Sequence, residues 1–417
     1  MTLDEIKAAE AKLLLPTYER NPILFVDGEG VHLIDAQGER YLDLLSGIGV
    51  NALGYGHPAI ERAIAEQSRK LIHISNLYFH EGQAELALRL TEASGMDRAF
   101  FCNSGTEAWE AALKLARAHA GLLRSEGKTI GTKFLALEHG FHGRTMGSVA
   151  TTHKAKYREP FEPVMPGVEF VAFDDVADLK AKFSTDICAV LIEVIQGEGG
   201  IRPVSQEFIE TARALTRSTG ALLILDEIQA GVGRTGKWFA YQHYDVQPDV
   251  TTVAKPLAGG LPLGAMLCTE EAARAIHPGM HGTTFGGGPL ACAAALAVFR
   301  TIEDDHLLEY VTEVGTYFHE QLDGLAKKHP AIVEVRGIGL MLAAELDSAE
   351  LAKDVLAGML ERRILINRTS ETVLRFLPPY ILGREHVDTA ISALDEVLTE
   401  RAPQGAGAHT TGGKEVG

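Results

Sequence analysis

Lys255 and Asp226 are the first residues of this chain whose surroundings promise chemistry. Lys255 closes DVTTVAK (249–255) and is followed by Pro256 and a Gly-rich turn. A lysine fixed at a buried strand end loses solvation, which lowers its pKa and makes it a usable Schiff-base nucleophile; the plain alternative is a solvated lysine at a strand terminus. Asp226 ends the apolar run ALLILDE (221–227), on the edge where ligands sit in open α/β sheets. A carboxylate buried there needs a partner. A protonated ring nitrogen is one, and a neighbouring loop is the other. The two residues lie about one βα unit apart, and an imine-forming lysine with a pyridine-pairing aspartate is what pyridoxal phosphate requires.

Three further clusters surround that pair. In CNSGTEAWEAALKLAR (102–117) a strand runs directly into a helix, with Ser104 and Glu107 spaced for a capping box. The free N–H groups of such a helix suit a phosphate, and Gly105 lets the backbone come close; an ordinary N-cap has the same pattern. No Gly-Lys-Ser/Thr follows, so this is not a Walker motif. LEHGFHGRTMGS (137–148) places Phe141, His142 and Arg144 together. An aromatic ring can stack on a planar cofactor, and a guanidinium can grip a carboxylate in bidentate fashion. His139 and His142 lack further ligands at metal-binding spacing, so no metal is expected. In HGTTFGGGPLACAAA (281–295), Thr283 and Thr284 enter a Gly-rich stretch and offer either phosphate-binding hydroxyls or a plain helix cap. Glycines 231, 233 and 236 satisfy G-x-G-x-x-G, but four residues separate them from Asp226 and no clear helix follows, which counts against a dinucleotide site.

These residues need a scaffold, and the apolar patterning supplies one. DRAFFCN (97–103), FLAL (134–137), VEFVAF (168–173), ICAVLIEVI (187–195), ALLILDE, DVTTVAK and GAMLCT (264–269) are short apolar runs alternating with helix patterns such as 206–219. That alternation predicts an α/β fold with a large, mostly parallel sheet. A long helical pattern from Pro289 to about 328 precedes a smaller α/β region. VHLIDAQGERYLDL reads as a hairpin about Gln37-Gly38. The expected division is an N-terminal segment (1–60) packing with the small domain, a large cofactor-binding domain (61–300), a small C-terminal domain (301–401) and a disordered tail (402–417). A net charge of −17 argues against broad attraction to nucleic acid or an anionic membrane. Four widely spaced cysteines, no secretory signal pattern and no bilayer-length apolar run make a cytoplasmic protein the expectation.

PTYERNPI, LLSGIGVNALGYGHP, SNLYF, FFCNSGTEAWEAALKLAR, FHGRT, IEVIQGEGG, LDEIQAGVGRTG, TVAKPLAGGLPLGA, HGTTFGGGPLACAAA, VRGIGLM and LRFLPP follow one another over about residues 15–400. With these blocks in this order the chain resembles the class III aminotransferases of the fold type I pyridoxal-phosphate family. The resemblance implies that Lys255 bonds the cofactor, Asp226 pairs with its pyridine nitrogen, Phe141 stacks on its ring and Gln229 contacts its hydroxyl. It also implies that Gly105 and Thr106 bind the phosphate, that Thr284 reaches the phosphate of a neighbouring subunit, and that Thr283 stands near the substrate. A homodimer with shared sites follows. Arg144 matches the substrate-carboxylate arginine, Glu198 with Arg375 matches a pair that lets one pocket take two substrates, and Tyr18 falls on the substrate side. Pro256 departs from the pattern, since relatives more often carry Gly there.

Ile48 and the GIGVN context resemble the branch acting on N2-acetylornithine, which implies transfer of its δ-amino group to 2-oxoglutarate, as in arginine biosynthesis. Relatives acting on succinylornithine, carrier-linked aminoadipate semialdehyde, ornithine or 4-aminobutyrate share most of these blocks. From other classes, a nicotinamide-dependent oxidoreductase would rely on GVGRTG, and a catalytically silent relative would lack the lysine or the aspartate; both residues are present.

Overall fold

The computed structural model describes residues 1–401; the tail at 402–417, expected to be disordered, lies outside the described residues. Seven strands form the central sheet, in the spatial order Arg98–Cys102, Gly264–Cys268, Val250–Val253, Leu222–Asp226, Ile187–Ile192, Lys133–Leu137 and Val168–Val171. Gly264–Cys268 runs antiparallel to both its neighbours, and the remaining pairs are parallel. The continuous apolar runs have a direct cause: every residue of Ile187–Ile192, Leu222–Asp226, Val250–Val253 and Gly264–Cys268 is buried, so neither face of these strands can carry polar side chains cheaply.

Two smaller sheets flank this one. Phe25–Glu29, His32–Asp35 and Arg40–Asp43 form an antiparallel meander, turning at Gly38 (φ +81°). Ile364–Leu365 adds to Arg40–Asp43 in parallel, so chain ends more than 300 residues apart share one sheet. Ile332–Ile338, Met341–Leu346, Val373–Phe376 and Asn367–Arg368 form the third sheet.

Several expectations need correction. The long helical pattern after Pro289 is two helices, Pro289–Asp304 and Leu307–Lys328, because His306 takes a left-handed backbone (φ +52°) that no α-helix can contain. The apolar run from 187 breaks after Ile192, and Ile195–Gln196 pairs with Arg202–Pro203 instead. A helix at Leu3–Leu13 was not anticipated. Thr2 and Glu5 close a capping box there, yet the helix buries none of its residues, so its apolar pattern was weak.

Candidate active site

Ligand-facing residues gather at the carboxyl ends of the parallel strands, around a cleft of about 330 Å³. Asp226 and Thr252 are register partners at the ends of adjacent strands, and Lys255 follows three residues after Thr252. Asp226 and Lys255 therefore line the same cleft. Lys255 has a left-handed backbone (φ +32°), a strained position for a side chain with a Cβ. It opens a 3₁₀ turn, Lys255–Ala258, in which Pro256 occupies an early position where its missing N–H costs nothing. Burial in the cleft pulls the Lys255 amine below its ordinary pKa against the attraction of Glu198, and the Arg375 cation adds to the lowering.

Asp226 is held from several sides. Its Oδ2 lies 2.7 Å from His142 Nδ1, and its Oδ1 accepts the Ile228 N–H at 3.0 Å and the Thr252 hydroxyl at 3.4 Å. The His142 ring stacks on Trp109, with centroids 4.0 Å apart and planes 4° from parallel. Trp109 Nε1 in turn donates to Thr151 Oγ1 at 2.9 Å. This buried tier fixes the carboxylate's orientation, and the sequence reading did not anticipate it. Its one visible trace was an aromatic residue within an Ala- and Leu-rich helix, in AWEAALKLA.

Glu193 was missed as well. It stands just past the strand Ile187–Ile192, as Asp226 stands at the end of its own, and lines the cleft. Its carboxyl accepts the N–H groups of Phe141 (2.9 Å) and Gly197 (3.0 Å), so it holds the ring of Phe141 over the cleft by its backbone. Burial pushes its pKa up, the nearby Asp226 charge adds to that, and His142 opposes it.

Ser104 caps the helix Gly105–Ser125, accepting the Glu107 N–H at 3.3 Å. The reciprocal half of the predicted capping box is shifted by one residue: the Glu107 carboxylate takes the N–H of Asn103 (2.6 Å), not that of Ser104. The Ser104 N–H is thus left out of the box. Gly105 packs so closely on Ile228 that a Cβ would come within 2.8 Å of its side chain, which accounts for glycine at this turn. The Thr106 hydroxyl shares hydrogen bonds with Thr145 and Ser148, each at 2.8 Å.

The predicted pair of Glu198 and Arg375 meets at 2.6 Å. Its members differ in freedom. Arg375 is 1% exposed and is also held by Gln229 Oε1 (3.1 Å) and Asn367 Oδ1 (3.0 Å), whereas the Glu198 side chain is 32% exposed. Burial alone would raise the Glu198 pKa, but the charge and hydrogen bond of Arg375, with Lys255 and Gln229, together outweigh it and hold the carboxyl low.

Other predicted residues sit apart from the cleft. Arg144 is exposed and lies 3.7 Å above the ring centroid of Tyr157. Thr283 bonds Asn103 Nδ2 at 3.3 Å, while Thr284 is exposed. Tyr18 is 79% exposed, and Ile48 (φ +65°) is 39% exposed, with Val50 lining the cleft in its place. Glycines 231, 233 and 236 lie in a run of turns with no α-helix starting there, which removes the structural context of a dinucleotide fingerprint.

Residues 15–398 match the Aminotransferase class-III family. An acetylornithine aminotransferase of Methanocaldococcus jannaschii is 47% identical over 392 residues, covering 94% of this chain and 97% of that protein. Among solved structures, an ornithine aminotransferase from Toxoplasma gondii, described as having partial occupancy of PLP at its active site, superposes with a TM-score of 0.90 at 30% identity, covering 96% of this chain and 94% of that one. An acetylornithine aminotransferase from Elizabethkingia anophelis gives 0.84 at 30% identity, covering 96% and 100%.

Proposed function

Because this chain belongs to the class-III aminotransferase family, we propose that it moves the δ-amino group of N2-acetylornithine to 2-oxoglutarate, giving N-acetylglutamate 5-semialdehyde and glutamate in arginine biosynthesis. The observation that carries the reading is the placement of Asp226 and Lys255 at adjacent strand ends on one cleft, in a chain whose sequence relatives at 42–47% identity are named for that substrate.

The residues fit pyridoxal 5′-phosphate. The N-terminus of Gly105–Ser125 offers unpaired N–H groups to a phosphate at one end of the cleft, the acid of Asp226 lies deep in it, and Lys255 and Phe141 border it. When bound, this cofactor supplies a carbonyl that reacts with amines and a ring that accepts the electrons of an adjacent carbanion. Asp226, oriented by His142, the Ile228 N–H and the Thr252 hydroxyl, would hold a proton at the ring nitrogen. Phe141 and Gln229 line the same cleft, where Phe141 would orient the ring and Gln229 would contact its hydroxyl. The lowered pKa of Lys255 leaves a larger share of neutral amine, able to take a proton from the substrate carbon and return it elsewhere. Glu198 stands between Arg375 and the cleft, covering the guanidinium while an ω-amine reacts. It swings out when glutamate or 2-oxoglutarate brings its own carboxylate.

The working unit is a homodimer in the cytoplasm. Asn76 Nδ2 donates to the carbonyls of Thr283 and Gly286, so the loop bearing the exposed Leu77, Tyr78 and Phe79 adjoins the loop bearing Thr284 and the exposed Phe285. A contiguous apolar surface of this kind marks an interface. Four buried free thiols accord with a reducing compartment.

A coupled assay with pyridoxal phosphate, 2-oxoglutarate and a panel of amino donors tests the reaction. N2-acetylornithine should show the highest kcat/KM, and a higher value for succinylornithine, ornithine or 4-aminobutyrate would replace the substrate assignment.

A further inference from the structure

Phe141 and Glu198 border two cavities. Besides the cleft they line a smaller one of about 120 Å³, whose other walls include His153, Lys154, Tyr157 and Thr369. Its rim is cationic. The Arg144 guanidinium lies 3.7 Å from the Tyr157 ring centroid and 5.7 Å from that of Phe141, and the amines of Lys156 and Lys154 lie 5.2 and 6.0 Å from the Tyr157 ring. All three cations are exposed, and none has a salt bridge among the described residues. The acid facing this cavity, Glu198, is already paired with Arg375, and the Glu138 charge acts on His153. In a chain of net charge −17, three unpaired cations about one tyrosine make a local field opposite to that of the whole. Thr369, which lines the cavity, carries a hydroxyl with no hydrogen-bond partner among the described residues.

An ω-amine that reaches Lys255 leaves the other end of its molecule several carbons away, and the side cavity adjoins the cleft at Phe141 and Glu198. A free diamino acid would place an α-ammonium beside these cations. Acylation of that nitrogen abolishes its charge, keeps the carboxylate the cations attract, and adds a carbonyl that a hydroxyl can hydrogen-bond. We propose that the cavity at Phe141, Lys154, Tyr157 and Thr369 is an acyl subsite whose cationic rim admits N-acylated amino donors and rejects those with a free α-ammonium. It rests on the reading of the chain as an acetylornithine transaminase and names what selects that donor.

The measured quantity is the ratio of kcat/KM for N2-acetylornithine to that for ornithine, taken on enzyme shown by its absorbance to be loaded with pyridoxal phosphate. In the double variant Lys154→Gln, Lys156→Gln the ratio should fall roughly 3- to 10-fold, the scale of a few partly screened like-charge contacts. In Lys154→Glu, Lys156→Glu it should fall further. Added salt should narrow the wild-type ratio and move that of the Gln variant less. Thr369→Val, which keeps the shape and removes the hydroxyl, should reduce kcat/KM for acetylornithine more than for ornithine. These lysines are exposed, so loss of folding does not confound the result. A wild-type enzyme that does not use acetylornithine overturns the functional reading. One that does, with a ratio indifferent to both lysine charge variants, overturns the acyl subsite alone.

Discussion

The two halves of the cleft are built in different ways. On the cofactor side, Asp226 and Lys255 issue from strands of one sheet that are buried on both faces, so their spacing is set by the hydrogen-bonded register, and the Ser104–Thr106 turn follows an edge strand of the same sheet. On the substrate side, Glu198 comes from a loop after the central sheet and Arg375 from a strand of the third sheet, and the two meet only because those units pack together. The first half is rigid where charge must be held still. The second contains one clamped member, Arg375, and one half-buried member, Glu198, where a charge must be covered and uncovered. A catalyst for two unlike amines needs both properties at once, and here they reside on different scaffolds.

Removing Lys255 should hurt most. Lys255→Ala should lose the borohydride-reducible bond to pyridoxal phosphate and lower turnover by about 10³-fold or more, the scale at which one member of an interdependent unit acts. Peptide mapping of the reduced wild type that labels a different lysine would move the assignment. The same variant probes sharing between subunits: mixed with an inactive Thr284 variant, verified heterodimers should regain activity at one intact site, and none should return if the sites are independent.

Asp226→Asn keeps shape and removes charge from the rigid half. Loss of one preorganised electrostatic contact costs about 3–4 kcal/mol, roughly 100- to 1,000-fold in rate. Wild-type turnover at normal cofactor occupancy would dissolve the contrast between the two halves.

The smallest of these effects falls on the movable half and changes a preference more than a rate. Glu198→Ala should free Arg375, which Gln229 and Asn367 continue to hold in place. Single-turnover rates should then rise for glutamate relative to acetylornithine, narrowing the preference by roughly tenfold, or about 1.4 kcal/mol. An unchanged ratio in folded, cofactor-loaded enzyme would make the pair a static brace.

The sequence by itself determined the parts whose physics is local. Buried parallel strands must be continuously apolar, so ALLILDE and DVTTVAK declared both their strands and the unusual polar residues at their ends. The resemblance of eleven ordered blocks added the expected partnership of Glu198 and Arg375, which no spacing rule connects across 177 residues. Only the tertiary structure decided the rest. His142 beneath Asp226, Trp109 against His142, and Glu193 bracing Phe141 are contacts between residues distant in the chain, each with an ordinary local reading as core or cap. The His306 break was hidden because apolar periodicity runs on through it on both sides, while a single left-handed residue leaves no periodic mark. The cationic rim escaped for the same reason: Arg144 and the KAKYR segment look like solvated surface until packing gathers them around Tyr157, because charge acts through space and not along the chain.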